Sequence, residues 1–152
     1  LAGLVAPRVE TLVGRALDSD DRALLARAMD VLKPRAKTLD EIAEGAVFLF
    51  AVRPLTIEEK AAALIAEAPE GLLANVTDRL RALDDWSHDA IETAVRETSE
   101  SAGVGLGKLA QPLRAALTGR TVSPGIFDVL LLLGRDESLA RLDAAHNYPA
   151  GA

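Results

Sequence analysis

Apolar residues recur at helical spacing along nearly the whole chain. Val5, Val9, Leu12, Val13, Ala16 and Leu17 make one stripe, and Leu24, Leu25, Ala28, Val31 and Leu32 make a second. Ile42, Ala46, Leu49 and Phe50 form a third. Leu72, Leu73, Val76, Leu80 and Leu83 form a fourth, and Ile91, Ala94, Val95 and Ala102 a fifth. Steps of three and four residues place side chains on one side of an α-helix, and stripes this broad predict helices that each bury a face against others. No segment alternates as a half-buried strand does. The pattern predicts an all-α fold, with no internal repeat and no low-complexity segment.

Local signals divide the pattern into elements. Asp18-Ser19-Asp20-Asp21 supplies N-cap side chains to the second helix, and its carboxylates suit a positive helix start. Thr38-Leu39-Asp40-Glu41 and Thr56-Ile57-Glu58-Glu59 each read as a capping box, the hydroxyl taking the third amide and the glutamate reaching back. Ser123 reads as an N-cap with Pro124 at the first helical position. Gly103, Gly105 and Gly107 separate the fifth stripe from the segment beginning at Lys108. Val52-Arg53-Pro54-Leu55 is the best boundary between larger parts. The expected organisation is two packed helical subdomains, 1–53 and 54–147. Periodicity is lost from His146 onward, which predicts a fraying end and a flexible tail over 148–152.

Composition narrows the class. A chain of 152 residues fits one domain or two small helical units, and 3% aromatic content weakens any case for a β-sandwich or barrel. The absence of cysteine excludes a disulfide scaffold, a cysteine nucleophile and thiolate zinc sites. It also favours an intracellular setting, although lack of cysteine is compatible with export as well. The longest apolar run, Val129-Leu130-Leu131-Leu132-Leu133, is far short of the roughly 18 residues that span a bilayer. No signal peptide is visible. The chain opens at Leu1 without a methionine, from which we expect a piece of a longer protein.

The net charge of -6 argues at first against a nucleic-acid partner, but its distribution changes that picture. Residues 1–37 carry seven basic and five acidic side chains, net +2, whereas residues 38–100 carry five basic and fourteen acidic, net -9. Residues 101–135 carry four basic and one acidic, net +3, and residues 136–152 are net -2. A polyanion responds to local potential more than to the total. An ordinary solvated charge pattern would look similar.

Catalytic chemistry is hard to find. His88 and His146 are far apart, and neither has a metal-ligand partner three or four residues away. Gly103-Val104-Gly105-Leu106-Gly107-Lys108 has the glycine density of a phosphate loop, but it follows no strand and lacks a hydroxyl after the lysine. The adjacent carboxylates Asp20-Asp21, Glu58-Glu59 and Asp84-Asp85 are better explained by capping than by acid–base work. No catalytic residue and no metal ligand emerges. A binding module is the better class, whether for a nucleic acid or, as the alternative, as a helical protein–protein interaction domain whose acidic middle docks a basic partner.

Two segments resemble bacterial glutamyl-tRNA synthetases. One is Arg35-Ala36-Lys37-Thr38-Leu39, followed by Glu41-Ile42-Ala43-Glu44 and Phe48-Leu49-Phe50. The longer runs Gly105-Leu106-Gly107-Lys108-Leu109-Ala110-Gln111-Pro112-Leu113-Arg114-Ala115-Ala116-Leu117-Thr118-Gly119 and resumes at Val122-Ser123-Pro124-Gly125-Ile126-Phe127-Asp128-Val129. It ends with Leu132-Leu133-Gly134-Arg135-Asp136-Glu137-Ser138-Leu139-Ala140-Arg141-Leu142. Trp86 followed by Ile91-Glu92 also fits, so the likeness covers roughly residues 1–143. It implies the C-terminal anticodon-binding region of a class I enzyme: two all-helical subdomains that bind tRNA-Glu as part of a cytoplasmic monomer. The upstream catalytic domain of such a ligase would hold ATP and Mg2+; this segment would carry no cofactor and no catalysis of its own.

The same likeness implies the contacts. Arg35 falls where the family reads the third anticodon base, and Arg114, Ser123, Pro124 and Ile126 fall on its further anticodon contacts. Lys108, Arg120 and Lys37 are candidates for the tRNA backbone. The family usually has a lysine where Gly105 stands, so one backbone-contacting charge is missing. The chemistry is apt, because anticodon bases expose their pairing edges and a guanidinium presents only donors. Cytosine offers acceptors there, whereas guanine would set donors against donors, which separates the glutamate anticodon from the glutamine one. Pro124 would offer an apolar platform and Ile126 would pack on a uracil. A solvent arginine, a plain helix cap and an Arg114–Asp128 ion pair are the bland counterparts. Arg8, Arg15 and Arg22 recur every seven residues and would face either a tRNA stem or water. Trp86, Phe48, Phe50 and Phe127 read as core.

Overall fold

A computed structural model describes residues 2–53 and 55–146. Those residues form eight α-helices and no strand. They are α1 (Ala2–Val13), α2 (Ser19–Leu32), α3 (Leu39–Ala46), α4 (Glu59–Glu67), α5 (Leu72–Arg81), α6 (His88–Ala102), α7 (Leu106–Thr118) and α8 (Ile126–His146). The all-α expectation is met. The chain divides into two compact units, Leu1–Val52 and Arg53–Ala152. The expected tail, 148–152, lies outside the described residues, as do Pro54 and the side chain of His146.

In the first unit α1, α2 and α3 pack on one another. Val5 and Val9 of α1, Leu25 and Ala28 of α2 and Ile42 of α3 are buried. The first stripe does not stay on one helix: α1 stops at Val13, Leu12 is left exposed, and Leu17 is buried from the following loop. The Leu17 amide donates to Glu10 Oε2 at 2.8 Å, which holds that loop against α1. Leu49 and Phe50 are likewise buried from a 3-10 turn, Val47–Phe50, rather than from α3.

Capping explains the starts of α2 and α3. Asp18 Oδ1 accepts from the Asp21 amide at 2.8 Å, and Asp21 Oδ2 accepts from the Asp18 amide at 3.1 Å, a complete reciprocal box. Arg15 Nη1 donates to the same Asp21 oxygen at 2.8 Å and draws the carboxyl below its usual range. At α3 the Thr38 hydroxyl accepts from the Glu41 amide at 3.1 Å as expected. The glutamate, however, reaches the Lys37 amide at 3.2 Å instead of that of Thr38, so this box closes one residue early.

In the second unit α7 packs against α4, α5, α6 and α8, and α5, α6 and α8 contact one another. Leu72, Val76, Leu80, Ile91, Val95, Leu109, Leu113, Leu117, Val129 and Leu130 are among its buried apolar side chains. Two expected helix starts are corrected here. Thr56 caps nothing: α4 begins at Glu59, with Glu58 at its N-cap and no side-chain cap. The cause is tertiary: the Glu58 amide donates to Gly119 O at 2.8 Å and is thereby engaged outside the helix. Ser123 and Pro124 do not open α8, which begins at Ile126. The Ser123 hydroxyl is engaged elsewhere, as described below.

α8 itself breaks at Gly134, whose φ of 80° and ψ of 169° lie outside the helical region. Side chains secure backbone carbonyls around the break. Trp86 Nε1 donates to Leu130 O at 3.0 Å, and Arg135 donates to the carbonyls of Arg81 and Leu83 while its guanidinium stands 5.3 Å from the Trp86 ring centroid. Trp86 and Phe127 are half-buried, while Phe48 and Phe50 are core. Beyond the break Arg141 is 1% exposed, an unusual place for an arginine. Its Nε donates to Glu137 Oε2 and its Nη1 to Leu117 O, both at 2.8 Å. Burial lowers the basicity of this guanidinium, and the Glu137 carboxylate works against that shift.

Candidate nucleic-acid interface

Of the expected contacts on the second unit, Arg114, Ser123 and Pro124 come together near the C-terminal end of α7, which Arg120 follows in the chain. Gly119 follows α7 with φ of 74° and ψ of 8°, and the Thr118 hydroxyl closes the turn. That hydroxyl donates to Arg114 O at 2.9 Å and accepts from the Arg120 amide at 3.1 Å. From the other side Glu58 holds Gly119 O, and Arg141 holds Leu117 O. The last turn of α7 is therefore fixed from three directions.

Arg114 projects from this last stretch of α7 and is half-buried. Its Nε donates to Ser123 Oγ at 2.9 Å. Ser123 Oγ in turn donates to Pro124 O at 2.7 Å. The structure thus joins Arg114, Ser123 and Pro124, which are separate in sequence. Ser123 is 8% exposed and Ile126 6%, and Pro124 is buried as well. In the free chain neither Pro124 nor Ile126 forms an open platform for a base. Arg120 is half-exposed beside the same turn, whereas Lys108 is exposed in the first turn of α7.

Arg35 and Lys37 belong to the first unit. Arg35 closes a 3-10 turn, Lys33–Arg35, just ahead of the Thr38-capped start of α3; its side chain lies outside the described part of the molecule. Lys37 is exposed, and its amide is the one that Glu41 engages. The seven-residue basic series is not a bare cationic face. Arg8 meets Asp40 at 2.8 Å, Arg15 meets Asp21 at 2.8 Å, and Arg22 stands 3.6 Å from Glu10. Exposed pairs of this kind contribute little to stability. Sequence reading missed Thr118, Gly119 and Arg141 as supports of the α7 end, because their partners lie far along the chain.

Fold and site together define a helical module that sets cationic donors at helix ends and turns. A profile of the anticodon binding domain family matches residues 1–146, and the chain belongs to that family. It is 72% identical to glutamate–tRNA ligase 1 of Sphingopyxis alaskensis, over 100% of this chain and 31% of that protein. It is 59% identical to glutamate–tRNA ligase 2 of Rhizorhabdus wittichii, over 94% of this chain and 30% of the relative. The chain thus spans about a third of the length of the curated relatives it matches. A crystal structure of a glutamate tRNA ligase from Elizabethkingia meningosepticum, in complex with its amino acid, superposes with a TM-score of 0.70. That match covers 96% of this chain and 29% of the other at 21% identity, a likeness of fold.

Proposed function

We propose that this chain is the anticodon-binding part of a glutamate–tRNA ligase and that it recognises tRNA-Glu by its unpaired anticodon bases. The observation that carries the reading is the family match across residues 1–146. The geometry supports it: a guanidinium held by a serine beside a rigid turn suits acceptor edges of unstacked bases. Arg35 reads the third anticodon base, Arg114, Pro124 and Ile126 serve the other contacts with Ser123 in the same cluster, and Lys37, Lys108 and Arg120 meet the backbone.

In this reading ATP-dependent aminoacylation belongs to the parent ligase, with ATP and Mg2+ held by its upstream catalytic domain. The parent works as a cytoplasmic monomer. Among the described residues no helix is long and apolar enough to cross a membrane. Titration of the chain with a tRNA-Glu transcript at several salt concentrations tests the reading. Affinity is expected to fall steeply with salt and to respond to anticodon substitution. Binding that ignores both would point instead to a protein partner. In the parent enzyme Arg35→Gln is expected to relax rejection of tRNA-Gln with the fold intact; unchanged selectivity would remove Arg35 from its role.

A further inference from the structure

We infer that Ser123 is a positioning residue that aims Arg114, rather than a reader of the anticodon itself. The inference rests on the proposed role of Arg114 at the tRNA. A serine hydroxyl has one proton and two lone pairs. Here the proton goes to Pro124 O at 2.7 Å, and a lone pair receives Arg114 Nε at 2.9 Å. With Ser123 8% exposed, the hydroxyl has no donor left for a base and little surface on which to meet one.

The consequence for Arg114 is geometric. Nε is the innermost donor of a planar fork, so anchoring it fixes the plane and the direction of the terminal nitrogens. The Thr118 hydroxyl holds the Arg114 carbonyl at 2.9 Å, so the backbone of the arginine is set at the same time. An arginine without these restraints would lose several rotors on meeting RNA, and presetting removes much of that ordering cost. The Ser123–Pro124 segment connects α7 to α8, so movement of this loop changes the aim of Arg114.

The test compares Ser123→Ala, Ser123→Thr, Arg114→Ala and the Ser123→Ala/Arg114→Ala double variant. Each is titrated at low ionic strength with a tRNA-Glu transcript and with one carrying a substituted anticodon. Ser123→Ala is expected to weaken tRNA-Glu binding about five- to tenfold, the scale of one lost hydrogen bond, and to narrow the ratio between the two transcripts. Ser123→Thr, which keeps the hydroxyl, should restore both. In the Arg114→Ala background Ser123→Ala should cost nothing further. Equal, additive losses in both backgrounds would overturn the inference and make Ser123 a direct contact, leaving the role of Arg114 intact. An Arg114→Ala variant that binds like the wild type would overturn the reading of Arg114 and the inference together. Equal weakening toward both transcripts, with no recovery in Ser123→Thr, would reduce Ser123 to a general structural role.

Discussion

Replacing Gly119 by alanine isolates what the clamp on the α7 terminus is worth. Gly119 has a φ of 74° and Gly103, at the end of α6, a φ of 70°. An L-residue in that region costs about 1–2 kcal/mol, so both glycines carry the same conformational penalty. The surroundings differ. A Cβ at Gly119 would stand 2.5 Å from Thr56 O and 3.4 Å from Ile57 Cα, both backbone atoms. At Gly103 it would meet nothing within 4 Å. Backbone cannot swing aside as a side chain can, so Gly119→Ala must also displace the 55–58 segment and strain the bond from the Glu58 amide to Gly119 O, 2.8 Å in the wild type. Overpacking of this kind adds about 1–3 kcal/mol. Gly103→Ala is therefore expected to cost about 1–2 kcal/mol, and Gly119→Ala about 2–5. The assay is urea unfolding followed by the fluorescence of Trp86, the sole tryptophan, which lies half-buried in the second unit. A shifted midpoint at constant slope reports stability alone. Equal losses in the two variants would refute the argument, because the contact with Thr56 would then contribute nothing.

Four further outcomes are expected. Thr38→Ala should cost about 1 kcal/mol through loss of the bond to the Glu41 amide, and Thr56→Ala, which removes no cap, should stay within about 0.5 kcal/mol in far-UV circular dichroism melts. Asp21 titrates below its ordinary range in the folded chain, so it stabilises the fold above its unfolded pKa and ceases to as pH falls through the lower folded one. The stability gap between wild type and Asp21→Asn should thus be full at neutral pH and close below about pH 4 in denaturant titrations. Trp86→Phe keeps an aromatic ring, smaller than the indole, but removes the donor to Leu130 O, where the Ser138 hydroxyl at 3.4 Å is a poor substitute; a loss of about 1–2 kcal/mol is expected in thermal melts followed by circular dichroism. Gly105 has φ of -68° and ψ of 153°, with nothing within 4 Å of a built Cβ, so Gly105→Lys should fold unchanged. It should also steepen the salt dependence of tRNA binding by about one phosphate contact; an unchanged slope would place this helix start away from the backbone.

What the sequence made legible was what neighbours decide. Asp18 and Thr38 cap their helices because their partners are three residues away, and nothing more distant competes. The stop at Gly103 follows from the same locality, whereas α7 restarts at Leu106, two residues ahead of the expected start at Lys108. Thr56 and Ser123 carry equally good start signals, yet each loses to a distant partner. The Glu58 amide finds Gly119 O, sixty-one positions on in the chain, and the Ser123 hydroxyl finds Arg114. The break at Gly134 was hidden for another reason. A lone glycine costs a helix only about 1 kcal/mol, so apolar spacing that continues on both sides conceals the bend. Resemblance could place Arg114 and Ser123 in the same site, but only coordinates reveal that one holds the other.

Charge counting is corrected in the same way. The stretch 101–135 is net +3, but its four cations do not act as one patch. Arg135 is committed to the carbonyls of Arg81 and Leu83 beside Trp86, and Arg141 just beyond is sealed in the core. Lys108 and Arg114 both lie on α7, yet six residues separate them by about 9 Å along the axis and about 120° around it. The helix therefore presents no basic stripe. A polyanion would meet a few cations at fixed places, the preset Arg114 and its neighbour Arg120 at one end of α7 and Lys108 at the other. Binding by few, oriented donors relies on the geometry of each more than on summed potential. That is why the supports of the α7 terminus, Thr118, Gly119 and the buried Arg141, matter to recognition although none of them faces the RNA in this reading.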